Sequence, residues 1–169
     1  MTAGLDIAVS VSCVAWNDAV PAVEDHCRKA AAAAYRATPL ANGVAEVSLV
    51  LADDALIQSL NRDYREHDAP TNVLAFPGID PSAPYSPGAP AMLGDVVVAF
   101  ETAAAEAADE NKKLHDHLSH LIVHGMLHLL GHDHGTEAEA VAMERLEIQV
   151  LSVLDVADPY ADAGRAGGG

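Results

Sequence analysis

The chain has 169 residues, half of them apolar, and carries a net charge of −16 from 9 Lys and Arg against 25 Asp and Glu. That length leads us to expect one domain with a substantial core, over residues 1–160, and no apolar run approaches the ~20 residues of a membrane-spanning helix. The acidity steers the chain away from polyanions, so a nucleic-acid function would need a local basic patch, a metal or a partner protein.

The opening Met-Thr-Ala-Gly-Leu-Asp-Ile lacks a basic segment and does not read as a signal peptide. Cys13 and Cys27 form no CxxC pair and read as reduced, partly buried thiols of a cytosolic protein. In chain order, Leu5–Val11 alternates as a half-buried strand, with Ile7, Val9 and Val11 on one face. Ala19–Arg36 is alanine-rich and helical, with Pro21 suited to its first turn. Pro39, Asn42 and Gly43 mark a turn, and Val44–Leu51 is a second strand. Asp53 or Asp54 caps a helix running to about Tyr64. Asn72–Phe76 is a short strand ended by Pro77, and the proline-rich stretch from Gly78 to Ala91 is an exposed loop. Leu93–Phe100 is the most apolar strand, followed by a short helix over Glu101–Ala108, a long helix over residues 114–130 and a last helix from Glu137 to Leu154. The glycine-rich tail, residues 161–169, is expected to be disordered. The pattern predicts an α+β fold: a small four-stranded mixed sheet packed with helices.

Seven of the nine histidines lie between His115 and His134. Within that stretch, His124 and His128 stand four apart on a predicted helix, where side chains share a face with Cβ atoms roughly 5–6 Å apart. Gly131 fits a left-handed helix end, and the reversal can bring His134 back toward the first two. Three imidazoles with one open position is the arrangement of catalytic zinc, whereas structural sites close with four ligands. A solvated histidine cluster is the bland alternative, and it fits poorly with so apolar a stretch. His120, one turn before His124, reads as a core or supporting group ahead of a fourth ligand. His115 and His117 read as surface residues, His132 is ambiguous between ligand and bystander, and Asp133 either orients an imidazole or faces water. Zinc suits three imidazoles, although nickel or copper would also bind such a set.

The run follows the metzincin pattern H-E-x-x-H-x-x-G-x-x-H at every position but one. Gly125 stands where those proteases carry the glutamate that takes the proton from water, so peptide hydrolysis by that route is disfavoured. Phosphodiester cleavage remains compatible, because a metal can polarise a phosphoryl oxygen and an arginine fork suits phosphate oxygens. Arg28, Lys29, Arg62, Arg65, Lys112 and Lys113 are the cations available to a nucleic acid, each of which alone reads as an ordinary surface charge.

The chain resembles the bacterial YbeY family, metal-dependent endoribonucleases also described as rRNA maturation factors. The resemblance rests on four segments, in order, that extend over about Val44 to Tyr160. The strongest is His120-Leu-Ile-Val-His124-Gly-Met-Leu-His128-Leu-Leu-Gly-His-Asp-His134. The others are Leu60-Asn-Arg-Asp-Tyr64-Arg65 continuing through Asp68, Pro70-Thr71-Asn72-Val73-Leu74 and Phe76-Pro77; Leu93-Gly94-Asp95; and Met143–Leu154 followed by Asp158-Pro159-Tyr160. Where the family often has Asp in Pro-Thr-Asp-Val, this chain has Asn72. The resemblance implies one zinc ion per chain on His124, His128 and His134, and Arg65 in the cleft beside it with a role in RNA binding or catalysis. It also implies a cytoplasmic enzyme that cuts single-stranded RNA in 16S rRNA 3′-end maturation and ribosome quality control. Expected partners are the rRNA precursor, ribosomal subunits and ribosomal or GTPase proteins, with no membrane. Asp68 and Asp95 fall in matched segments, but turn capping and strand-end hydrogen bonding are their expected roles. The competing readings are a ribosome-associated assembly factor with mainly structural zinc and a metal hydrolase of another substrate.

Overall fold

The computed structural model describes residues 4–38, 45–78, 91–132 and 135–160. The Pro39–Gly43 turn, the interior of the proline-rich loop, Asp133, His134 and the glycine-rich tail lie outside the described residues. Four strands, β1 (Leu5–Val11), β2 (Ala45–Ala52), β3 (Val73–Pro77) and β4 (Ala91–Ala99), form one sheet in the order β1-β2-β4-β3. β1, β2 and β4 run parallel, and β3 pairs antiparallel to β4 as an edge strand. Among the described residues six helices accompany them: α1 (Ala15–Ala19), α2 (Val23–Ala37), α3 (Asp54–Arg65), α4 (Phe100–Asp109), α5 (Leu114–Leu129) and α6 (Glu137–Val153). The expected α+β fold with a four-stranded mixed sheet is thus the observed one.

The helix expected over Ala19–Arg36 begins only at Val23, and a short helix that the sequence did not suggest, α1, precedes it and ends at Ala19. Val20 is extended at φ −126 and ψ 107, and α2 begins only after Ala22, whose φ is +51. Pro21 explains the break, since a residue before proline is pushed out of the helical region and proline offers no N–H to continue a helix. Elsewhere the expected elements hold, with ends displaced by a residue or two. Asp53 caps α3, its carboxylate accepting from Leu56 N–H at 2.9 Å.

The two sheet faces are divided by the alternation of the strands. Val47, Leu49, Leu51, Val96, Val98 and Ala75 face a core shared with α2, α5 and α6. Ala52, Val97 and Ala99, with Leu74 and Phe76 beside them, face Ile57 and Leu60 of α3. α5 buries Leu118, Ile122, Val123, Met126 and Leu127 almost completely. Each such side chain contributes roughly 1.5–3 kcal/mol, so packing rather than its histidines anchors the helix. Cys27 is buried and Cys13 half-buried, both unbridged, and burial pushes the Cys27 thiol up to about 12.

Two glycines bring backbones together near the edge of the sheet. The β2–β4 register slips at Glu46/Val47, leaving Leu93 as the extra residue, and the following Gly94 has φ +132. A Cβ on Gly94 would sit 2.0 Å from the Phe76 carbonyl oxygen, so only glycine lets the end of β3 cross there. Gly125 on α5 lies directly over β4, where a Cβ would meet Val96 Cγ1 at 2.6 Å. The missing glutamate of the protease pattern therefore has a steric reason: position 125 has no room for any side chain.

Gly125→Ala gains about 0.5–1 kcal/mol of helix propensity but overpacks α5 on β4, at a typical cost of about 1–3 kcal/mol. We expect net destabilisation in chemical denaturation, relieved when Val96→Ala is added. Independent, additive effects of the two substitutions would contradict this account of the contact.

Candidate metal centre and cleft

A cleft of about 330 Å³ opens between α5 and edge strand β3. Its α5 wall carries His120, Leu121, His124, Gly125 and His128, its β3 side runs from Asn72 to Ala75, and Arg65 and Tyr160 complete the lining. The helical spacing of His124 and His128 places both imidazoles on this one wall, as the sequence suggested. Arg65, at the end of α3, reaches the same space around the open edge of the sheet. Its Nη2 donates to the Ala75 carbonyl at 2.6 Å, and its guanidinium carbon lies 5.2 Å from the centre of the Phe76 ring. One donor of five is thereby used to aim the group, and the planar fork keeps others for a ligand.

α5 ends as expected. Gly131 has φ +99, Gly131 N–H donates to His128 O at 3.1 Å and His132 N–H to Leu127 O at 3.0 Å. These paired bonds close the helix and turn the chain back on itself. Thr136 then caps α6, accepting from Glu139 N–H, and α6 returns alongside α5. His132, an ambiguous ligand by sequence, hydrogen-bonds with Thr38 Oγ1 at 3.2 Å at the end of α2. Among the described residues no group of three or more His, Cys, Asp or Glu side chains is placed to hold a metal. His124 and His128 are two of the expected ligands, and the third, His134, lies outside the described residues.

Sequence reading missed Glu147 of α6, which is 1% exposed. Its Oε2 lies 2.9 Å from His120 Nε2 and 3.3 Å from His124 Nδ1, while the Tyr160 hydroxyl donates at 2.8 Å to Oε1. Burial alone would push this carboxyl up, but the hydrogen bonds from His120, His124 and Tyr160 outweigh it and hold it down at about 2. Burial, followed by the neighbouring Glu147 charge, pushes the Tyr160 phenol up, so it stays a donor. An ionised carboxylate can only accept. The proton of His124 therefore resides on Nδ1, which makes Nε2 the nitrogen that carries the lone pair of the neutral ring. A carboxylate behind a ligand imidazole is the usual way a metal-binding histidine is oriented, so the described residues suit an imidazole-bound metal. The signal available in sequence was an acid in line with Met143, Val150 and Leu151 on the buried face of α6.

Other expectations divide. His117, expected at the surface, is 4% exposed and bonds Glu106 at 2.9 Å through Nε2. His115 is exposed, pairing with Asp116 at 3.0 Å. Asn72 Nδ2 donates to the same Glu106 carboxylate at 2.9 Å. An aspartate at 72 would set two carboxylates face to face, so the amide is the residue that fits Glu106. Asp68 accepts from the Gln58 amide at 3.1 Å instead of capping a turn, and Asp95 lies within β4 opposite Phe76 rather than at a strand end. Among the candidate cations, Arg28, Lys112 and Arg62 pair with Asp25, Glu110 and Asp63; Arg65 alone of the six lines the cleft.

Residues 12–155 match the family model described as Endoribonuclease YbeY. The chain belongs to the YbeY family. Proteins named Endoribonuclease YbeY include one from Paramagnetospirillum magneticum that is 54% identical over 163 residues, covering 96% of this chain and 99% of that protein. Another, from Bradyrhizobium sp., is 45% identical over 161 residues and covers 95% and 94%. The solution structure of a Thermotoga maritima protein matches with a TM-score of 0.55 at 20% identity, covering 89% of this chain and 92% of that one, and supports the fold. The segments Leu60–Pro77, His120–His134 and Met143–Tyr160, singled out for their YbeY likeness, contribute every cleft residue named above.

Glu147→Gln should weaken metal binding roughly 10- to 100-fold, read as zinc affinity by chelator competition. Glu147→Ala should in addition lower metal-free stability by about 1–3 kcal/mol, because three partly buried donors lose their acceptor. Wild-type zinc affinity in Glu147→Gln would show that the carboxylate does not orient the ligand.

Proposed function

We propose that the chain is a zinc-dependent, single-strand-specific endoribonuclease of rRNA processing, acting in 16S 3′-end maturation and ribosome quality control in the cytoplasm. One observation carries the reading. Two imidazoles one turn apart on α5 and a guanidinium from α3 open onto one cleft, in a chain of the YbeY family. His124, His128 and His134 would hold the ion. When bound it would supply a Lewis acid for the phosphodiester and lower the pKa of water toward ~7.

The chain's own groups do the rest. Glu147 keeps the His124 proton on Nδ1 and fixes the ring plane. Arg65, tethered to the Ala75 carbonyl, presents its remaining N–H donors to the non-bridging oxygens of a phosphate, where charge grows during attack. Gly125 leaves the wall between the two imidazoles without the carboxylate that would serve peptide hydrolysis as general base. The nucleophile is water or the RNA's own 2′-hydroxyl. Ribosomal subunits and ribosomal or GTPase proteins are the partners we infer. The net charge of −16 favours them, since a protein surface can bring the enzyme to an RNA that its own field repels. The same charge supports a second reading, an assembly factor whose zinc is chiefly structural.

His124→Ala should abolish both zinc binding and cleavage of precursor rRNA, whereas Arg65→Glu should leave one zinc per chain and reduce cleavage by about 10²-fold or more. Metal analysis paired with a cleavage assay checks both. Undiminished cutting by metal-free protein would overturn the reading, and protein that binds zinc yet never cuts with ribosomes present would favour the assembly factor.

A further inference from the structure

Beside Arg65, the aromatic ring of Tyr64 stands 69% exposed on the last turn of α3. It is held edge-on by Phe76 of β3, ring centres 5.8 Å apart and planes at 69°. Phe76 in turn lies under the Arg65 guanidinium. The three side chains make one continuous surface that begins on the α3 side of edge strand β3 and ends in the histidine cleft. A tyrosine this exposed is not required by the core. The T-shaped contact with Phe76 props the ring and still leaves most of the residue open to solvent.

We propose that Tyr64, propped by Phe76, is a stacking subsite for one unpaired base of a single-stranded RNA whose backbone passes Arg65 into the cleft; the inference rests on the endoribonuclease reading.

The local charges decide between base and phosphate as its occupant. Asp63 and Glu66 flank Tyr64 and Arg65 in the chain, and Arg62 is committed to Asp63 at 3.1 Å. Only Arg65 is placed to meet a phosphate, and it points to the cleft. A second phosphate at Tyr64 would meet an Arg62 already paired with Asp63 and the further negative charge of Glu66, whereas a base brings a neutral π-face. Stacking on an aromatic ring strengthens binding of a base and needs no net positive field. That is the kind of affinity open to a chain carrying −16. A paired base cannot present its face to a ring, so the subsite would select single strands.

The test uses the full-length zinc-loaded protein and a fluorescein-labelled eight-nucleotide oligoadenylate, alongside the same probe carrying one abasic position. Tyr64→Ala should weaken binding of the intact probe roughly five- to a hundredfold, while Tyr64→Phe should bind it as wild type does. For some placement of the gap, the abasic probe should lose the same factor on wild type and nothing further on Tyr64→Ala. In cleavage, Tyr64→Ala should raise KM with kcat nearly unchanged, and its zinc content and melting temperature should match wild type. A wild type that binds and cuts RNA while Tyr64→Ala does so equally well, within twofold, overturns the subsite alone. A wild type that neither binds nor cuts overturns the subsite together with the endoribonuclease reading.

Discussion

Where α5 crosses β4, the backbone of Gly125 rests on the side chain of Val96 with no space for even a methyl group between them. The depth of that contact sets the height of the α5 histidines above the sheet. Because His124 and His128 flank Gly125, a helix lifted by a bulkier residue would carry both imidazoles away from β3 and from the arginine at its edge. The same contact removes the residue on which the protease version of this histidine pattern depends. One steric constraint thus brings the site together and narrows what it can do.

Behind the helix, a second constraint keeps the site polar. Glu147 accepts from two histidines and a tyrosine in a region otherwise filled by Met143, Val150 and Leu151. Removing one carboxylate would orphan three donors, so this small network is sensitive to every member. It also joins distant parts of the chain: Tyr160 follows α6, His120 and His124 belong to α5, and all meet at one carboxylate. Local fold and site electrostatics are here the same set of hydrogen bonds.

The elements that were legible in the sequence are those whose signal is local. The alternation of β1 and β2, the Asp53 cap, the apolar face of α5 and the glycine that closes it are read from residues a few positions apart. The histidine column was legible for the same reason, because a spacing of four is a statement about one helix. Pro21 was placed in a first turn when its stronger effect was on Val20 before it, which splits α1 from α2. Glu147 and His117 were missed because their partners lie 27 and 11 residues away, on other elements. Arg65 was a helix-end cation until the family resemblance raised it. Its tether to the Ala75 carbonyl depends on β3 being an edge strand, a property of strand order that no local pattern encodes.

Charge bears on how such a site meets its substrate. Three of the candidate cations outside the cleft are paired with neighbouring carboxylates, so long-range attraction to a polyanion is weak, and at physiological salt it is screened within about 8 Å. Affinity must come from contact. A cleft with one aimed guanidinium can hold one phosphate, and that alone distinguishes neither strand state nor position along an RNA. Discrimination then falls to groups that read the bases, and the stacking subsite proposed at the sheet edge, rather than the histidines, is where a preference for unpaired RNA would reside.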